Sequence, residues 1–222
     1  IGTVVKHRRL IVPQLGAVGV SAHEVAKLTG FKVVFGPVRA CDIKEFLRND
    51  FRKTEAMRTV YFPLMERLAV APIEVVQSFK YAAGIFVVLG ILSVIEHRAL
   101  TADILTGFLP FLGAAFTGTV LFPALLPYLP FRSFAAKGYV LGLVSTGILA
   151  VFAYTGLAQS AVWLLILPPI VSFLSLNFTG ASTYTSLTGT KLELAISLPL
   201  LGISAAAGIF LKIGLLVKSM IA

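Results

Sequence analysis

The sequence predicts a small α/β, Rossmann-like partial domain over residues 1–60, a junction over 61–80, and an all-α domain of about five transmembrane helices over 81–222. Three observations carry this expectation. Residues 1–80 hold 13 of the 19 Lys and Arg and 7 of the 10 Asp and Glu, whereas 81–222 are long apolar runs with few charges. Mean hydropathy is +0.92 and 57% of residues are hydrophobic, beyond the range of soluble chains. The first fifty residues alternate strand, loop and helix twice, the pattern of a parallel sheet.

Leu10, Ile11 and Val12 are a brief apolar run ended by Pro13. The loop Gln14, Leu15, Gly16, Ala17, Val18, Gly19, Val20 follows, with two glycines. Ser21 is a good N-cap and Glu24, three residues on, completes a capping box. The helix this opens, over 22–28, should stop at Gly30, where a C-cap glycine belongs. A second β-branched run over 31–35 ends at Gly36 and Pro37, and a second helix covers 42–47. Both glycine loops therefore fall at the carboxyl ends of parallel strands, the edge where open α/β sheets hold ligands. Neither loop matches a G-x-G-x-x-G fingerprint or a phosphate-binding loop, so the pattern fits a ligand edge or a plain connection alike. His23, just past the first loop, reads either as a ligand-facing group or as an exposed helix residue.

Residues 49–58 are polar and read as a loop, and 59–63 (TVYFP) as one more strand. The stretch 64–80 is amphipathic in part and reads as a segment lying along the membrane surface, or as a packing helix of the soluble part. Five apolar segments follow, at about 81–95, 104–126, 136–154, 161–176 and 192–217, each near the roughly 20 residues that cross a bilayer. Pro110 and Pro123 should kink or break the second. Gly138, Gly142 and Gly147 in the third, and Gly202 and Gly208 in the fifth, are candidate close-packing points.

Basic residues flank one side of these spans: the N-terminal part, then Arg132, Lys137 and Lys191. Arg98 on the other side is balanced by Glu96 and Asp103. The bias predicts a multi-pass protein of the inner (cytoplasmic) membrane with its N-terminal domain in the cytoplasm. The uncharged stretch 177–191, NFTGASTYTSLTGTK, then falls at the cytoplasmic boundary. Asn177, Thr179, Ser182, Thr183, Thr185 and Ser186 could line a polar pocket there, or simply connect two spans. Apart from Lys137 at the edge of the third span, Glu193 and Lys212 are the only charged residues within the spans, which argues against a proton-coupled pump or ion transporter.

The net charge of +9 is not read as nucleic-acid binding, since no such motif is present. Arg48, Arg52, Lys53, Arg58, Arg67 and Lys80 lie on the approach to the membrane, where contact with anionic lipid is the commoner role. A single cysteine, Cys41, excludes an internal disulfide and an iron–sulfur cluster held by this chain. His7, His23 and His97 are too scattered for a metal site. The chain opens at Ile1 and its first strand follows almost at once, so it reads as a fragment whose soluble domain lacks its beginning.

The motifs VPQLGAVGVSAHEV and FGPVRA resemble the corrinoid-binding domain of the corrinoid iron–sulfur proteins of the acetyl-CoA pathway. Together with a five-span tail and the NFTGASTYTSLTG loop, they are most similar to the membrane-anchored, mercury-methylating corrinoid family, the HgcA family. The resemblance covers essentially the whole chain. It implies a corrinoid-dependent methyltransferase: a methyl group carried on the cobalt of a cobalamin-type corrinoid passes to inorganic mercury. It further implies a methyl donor protein, and a ferredoxin-type partner whose iron–sulfur clusters return cobalt to its reduced state. Carried over residue by residue, Gln14, Leu15, Gly16, Ala17, Val18, Gly19, Val20 and His23 would line the corrin, with Gly36, Pro37, Val38 and Arg39. The family's N-V-W-C-A-A-G-K cap helix, whose cysteine sits beneath cobalt, is absent, and Cys41 in R-A-C-D does not match it. No catalytic residue is therefore assigned, and this stretch alone is expected to be inactive. Two other readings stand beside this one: a membrane-bound corrinoid protein passing methyl groups in one-carbon metabolism, and a non-enzymatic transporter or scaffold.

Overall fold

A computed structural model describes residues 5, 7–60, 62–97, 103–152, 156–178 and 187–221. The chain divides into two compact units, Ile1–Phe62 and Pro63–Ala222.

The first unit is built on strands β1 (Arg9–Val12) and β2 (Lys32–Phe35), which pair in parallel with Val12 opposite Phe35. Helix α1 (Ala22–Thr29) crosses between them. It starts where the capping signal predicts: the Ser21 hydroxyl accepts a hydrogen bond from the Glu24 amide. It stops at Gly30, whose φ of 70° is the left-handed conformation that glycine adopts without strain. Helix α2 (Ile43–Arg48) follows, and Phe46, Phe31 and Met57 are buried. Phe51 packs edge-on to Phe46 with ring centroids 5.7 Å apart.

The sheet has two strands among the described residues, so the Rossmann-like expectation holds only as one β-α-β unit. The strand expected over 59–63 does not form among its described residues. Thr59 instead closes the tight turn Ala56–Arg58: its amide donates to the Ala56 carbonyl and its hydroxyl to that of Glu55. A ladder donor is thereby used locally.

The second unit is helical. It comprises α3 (Leu64–Leu68), α4 (Ala71–His97), α5 (Asp103–Phe116), α6 (Phe122–Leu125), α7 (Phe134–Phe152), α8 (Leu157–Asn177) and α9 (Leu187–Ile221). Five stretches are long and apolar enough to cross a membrane: Leu64–Ile95, Ile104–Leu125, Phe134–Phe152, Leu157–Asn177 and Gly189–Lys218. This is a multi-pass membrane protein. The expected junction 64–80 divides between two helices. Only α3 is separate, and residues 71–80 are the opening turns of the first spanning helix, with Pro72 in the first turn where its missing N–H leaves no gap. The second span continues as α-helix through Pro110 and is interrupted by a wide π turn at Thr117–Leu121, between α5 and α6. Thr117 and Thr119 return their hydroxyl hydrogens to the carbonyls of Gly113 and Ala115, both at 2.8 Å.

Helix α8 is the centre of the bundle, packing on α5, α7 and α9, with Leu167 and Val171 buried against Ala114. Close approach to α7 is set by two glycines. A Cβ at Gly142 would lie 2.7 Å from the Pro168 Cα, and one at Gly138 would lie 2.8 Å from the Ser172 Cα. Gly208 holds α9 against Ile166 in the same way. Gly147 and Gly202, also candidates from sequence, have open space around them. The Pro168-Pro169 pair inside α8 faces this contact through Pro168.

The contrast among these glycines is directly testable. Gly142→Leu is expected to destabilise the detergent-solubilised protein by about 2 kcal/mol or more, because Pro168 backbone cannot yield. Gly147→Ala should leave stability unchanged or raise it by about 0.5–1 kcal/mol through helix propensity. Thermal melts of the two variants beside the parent check both signs.

Candidate functional site

In the first unit both glycine loops leave the same edge of the parallel pair, because Val12 and Phe35 are the last residues of strands in register. The first loop is more ordered than a plain connection. Pro13 opens a tight turn over Gln14–Val18, closed by the Gly16 amide on the Pro13 carbonyl and the Gly19 amide on the Gly16 carbonyl. This turn presents Leu15 at 57% and Val18 at 98% exposure. Ala17 and Gly19 are exposed beside them, and His23 is exposed in the first turn of α1. Gln14 points the other way, its side-chain oxygen accepting a hydrogen bond from the Lys53 ammonium. Gly16 and Val20 are half-buried.

The second loop behaves differently. Gly36 and Pro37 are buried, and a Cβ on Gly36 would lie 3.2 Å from Ile11 and 3.7 Å from the Val12 carbonyl oxygen. Gly36 donates its amide to that carbonyl at 2.8 Å, and Val38 donates to Met57. Its small size thus serves the domain's own packing. Arg39 is exposed at the loop's end. Cys41 is exposed too, with its sulfur 3.4 Å from an Asp42 carboxylate oxygen.

A corrin ring presents a broad face fringed with amide side chains, so residues that hold it must leave room for close backbone approach. Leu15, Ala17, Val18 and Gly19 are exposed along the first loop, and an added Cβ at Gly19 would meet nothing nearer than 4.0 Å. That room exists on the side of the first loop, while the second loop is packed against the domain itself.

In the second unit, Asn177 ends α8 with its side chain exposed, while Thr179, Ser182, Thr183, Thr185 and Ser186 fall outside the described residues. Charged side chains are concentrated elsewhere, at the turn between α6 and α7. The α6 end leaves four carbonyls without helical partners, and Pro127 has no N–H to offer the one at Pro123. Arg67 on α3, only 7% exposed, donates from one guanidinium nitrogen to the carbonyls of Pro123 and Ala124 at 3.0 and 2.9 Å. The Tyr128 amide takes that of Leu125, and the Lys137 ammonium that of Leu126. At the start of α7, one Glu193 carboxylate oxygen accepts from the Ser133 hydroxyl and the Ala135 amide, both at 2.8 Å.

Glu193, singled out from sequence as an ionisable residue within a span, therefore caps a neighbouring helix. Arg67 and Glu74 were not singled out within the bundle; both are buried. The available signal for Arg67 was the proline four residues after Pro123, which orphans a carbonyl.

No family model, no curated protein and no solved structure matches this chain.

Glu193→Ala is expected to lower the stability of the solubilised protein by about 1–2 kcal/mol through loss of the α7 cap. Glu193→Gln should recover part of that, since its amide oxygen can still accept. Arg67→Ala should cost about 2–4 kcal/mol, because two buried carbonyls lose their donor. Urea or thermal unfolding followed by circular dichroism gives the order of the three.

Proposed function

We propose that the chain is part of a membrane-anchored corrinoid protein that transfers a methyl group to inorganic mercury. The observation that supports this best is the meeting of VPQLGAVGV and FGPVRA at one edge of a parallel strand pair, the first with an apolar, open surface. When bound, the corrinoid supplies the cobalt that carries the methyl group. The chain's own residues bind and orient it. Leu15 and Val18 give the ring an apolar seat, Gly19 lets the backbone come close, and His23 stands at the rim. Gly36 and Pro37 fix the second loop so that Val38 and Arg39 keep their places. The helical unit anchors this domain to the inner membrane, with the domain in the cytoplasm, where a ferredoxin and a methyl donor protein reach it.

Membranes carrying the longer protein proposed to contain this stretch, cap helix included, with its ferredoxin partner and supplied with a methylated corrinoid, a reductant and Hg(II) without oxygen, are expected to form methylmercury. Gly19→Phe should reduce both corrinoid retention on gel filtration and product formation about tenfold or more, as overfilling a tight contact does. Gly147→Ala should change neither. A protein that retains no corrinoid, or one in which Gly19→Phe is silent, overturns the reading. Retention with methyl transfer to an organic acceptor and none to mercury selects the one-carbon alternative.

A further inference from the structure

Two clefts of nearly equal size adjoin α9, and their linings differ. One, of about 360 Å³ between α4, α5, α8 and α9, has hydroxyls on only two of its fourteen lining residues, Ser78 and Tyr81. The other, of about 370 Å³ between α7, α8 and α9, has hydroxyls on five of eleven: Ser133, Tyr139, Ser172, Ser197 and Ser204. Neighbouring residues of α9 face different clefts, Ala205 the first and Ser204 the second.

A hydroxyl inside hydrocarbon must find a hydrogen-bond partner. Three of the five donate within the protein: Ser133 to Glu193, Ser172 to the Ala135 carbonyl and Ser204 to the Leu165 carbonyl. A donating hydroxyl still has oxygen lone pairs to offer. Tyr139 and Ser197 make no hydrogen bond among the described residues, although both line the cleft. Ser133 immediately precedes the third span, and Ser204 is the sixteenth of the thirty residues of the fifth. The hydroxyls therefore run from the membrane boundary to its middle, roughly 15 Å into a 30 Å hydrocarbon core.

We infer that the cleft between α7, α8 and α9 is a water-filled inlet, entered beside Ser133 and ending near Ser204, that admits small uncharged hydrogen-bonding solutes. A water takes roughly 30 Å³ and needs two to four polar partners, so the space holds about ten, and an apolar cavity of the same size stays free of water. None of the described lining residues is charged, so an ion entering would meet no compensating group. This inference is independent of the methyl-transfer reading.

The test uses the full chain in lipid nanodiscs, which leave both membrane faces open to water. The only cysteine, Cys41, is exposed, so Cys41→Ser gives a background without thiols. In it, Ser204→Cys is expected to react with iodoacetamide about tenfold or more faster than Ala205→Cys, because a hydrated thiol ionises to the reactive thiolate and one in apolar surroundings does not. The two positions are adjacent, so depth in the membrane cannot produce the difference. Both changes are small, and matched thermal melts check that the fold is kept. Ser197→Cys should react at least as fast as Ser204→Cys. Adding Tyr139→Phe and Ser197→Ala should slow Ser204→Cys to near the rate of Ala205→Cys. Equal rates at 204 and 205, a Ser204→Cys thiol labelled only by a lipid-soluble maleimide, or an unchanged rate without the two free hydroxyls would each overturn the inference.

Discussion

The constraint on which the helical unit depends is that backbone polar groups in a bilayer must be satisfied from within. Nowhere is it more demanding than at the turn between α6 and α7, where one helix ends and another begins within about ten residues. Four carbonyls and the first amides of α7 meet there, and the partners come from across the unit. Arg67 arrives from α3 at the start of the first span, Lys137 from the third and Glu193 from the last. Their signs are also right, with cations at the carboxyl end of α6 and a carboxylate at the amino end of α7. The first and last helices of the unit are thus tied to the same short turn. A change at either end of this stretch of chain is felt at its middle.

This arrangement revises the meaning of charge in the bundle. A carboxylate inside an apolar segment is by default a functional group. Glu193 fits the default poorly, because both hydrogen bonds it accepts are structural. Glu74 fits it better, because one of its oxygens is buried without a partner. Position in the sequence suggested the reverse, Glu193 being within an apolar run and Glu74 in a mixed one. What separates them is which donors the fold delivers to each oxygen, a tertiary fact.

Legibility in the sequence followed the range of the interaction. Local chemistry was readable: Ser21 and Gly30 delimit α1 within a residue, and the five apolar segments correspond to five long helices. Boundaries set by continuity were less so, since no local signal separates the mixed residues 71–80 from the apolar turns that continue the same helix. The prediction for 59–63 failed because composition says strand while Thr59 has a local hydrogen-bonding alternative. Glycine was ambiguous for a related reason. Gly138 and Gly142 look no different in sequence from Gly147, yet only the first two face another backbone.

The same ambiguity bears on the glycine loops of the first unit. A glycine beyond a strand admits either a ligand or the domain's own side chains, and here the two loops divide between these uses. Gly36 is filled by Ile11 and the Val12 carbonyl, whereas Gly19 faces open space next to a nearly fully exposed Val18. For the corrinoid proposed above, the asymmetry favours the first loop as the side of close approach, with the second loop packed against the domain itself. On this argument Gly19 is the position where added volume affects binding without disturbing the fold, and Gly36 the position where added volume disturbs the fold first.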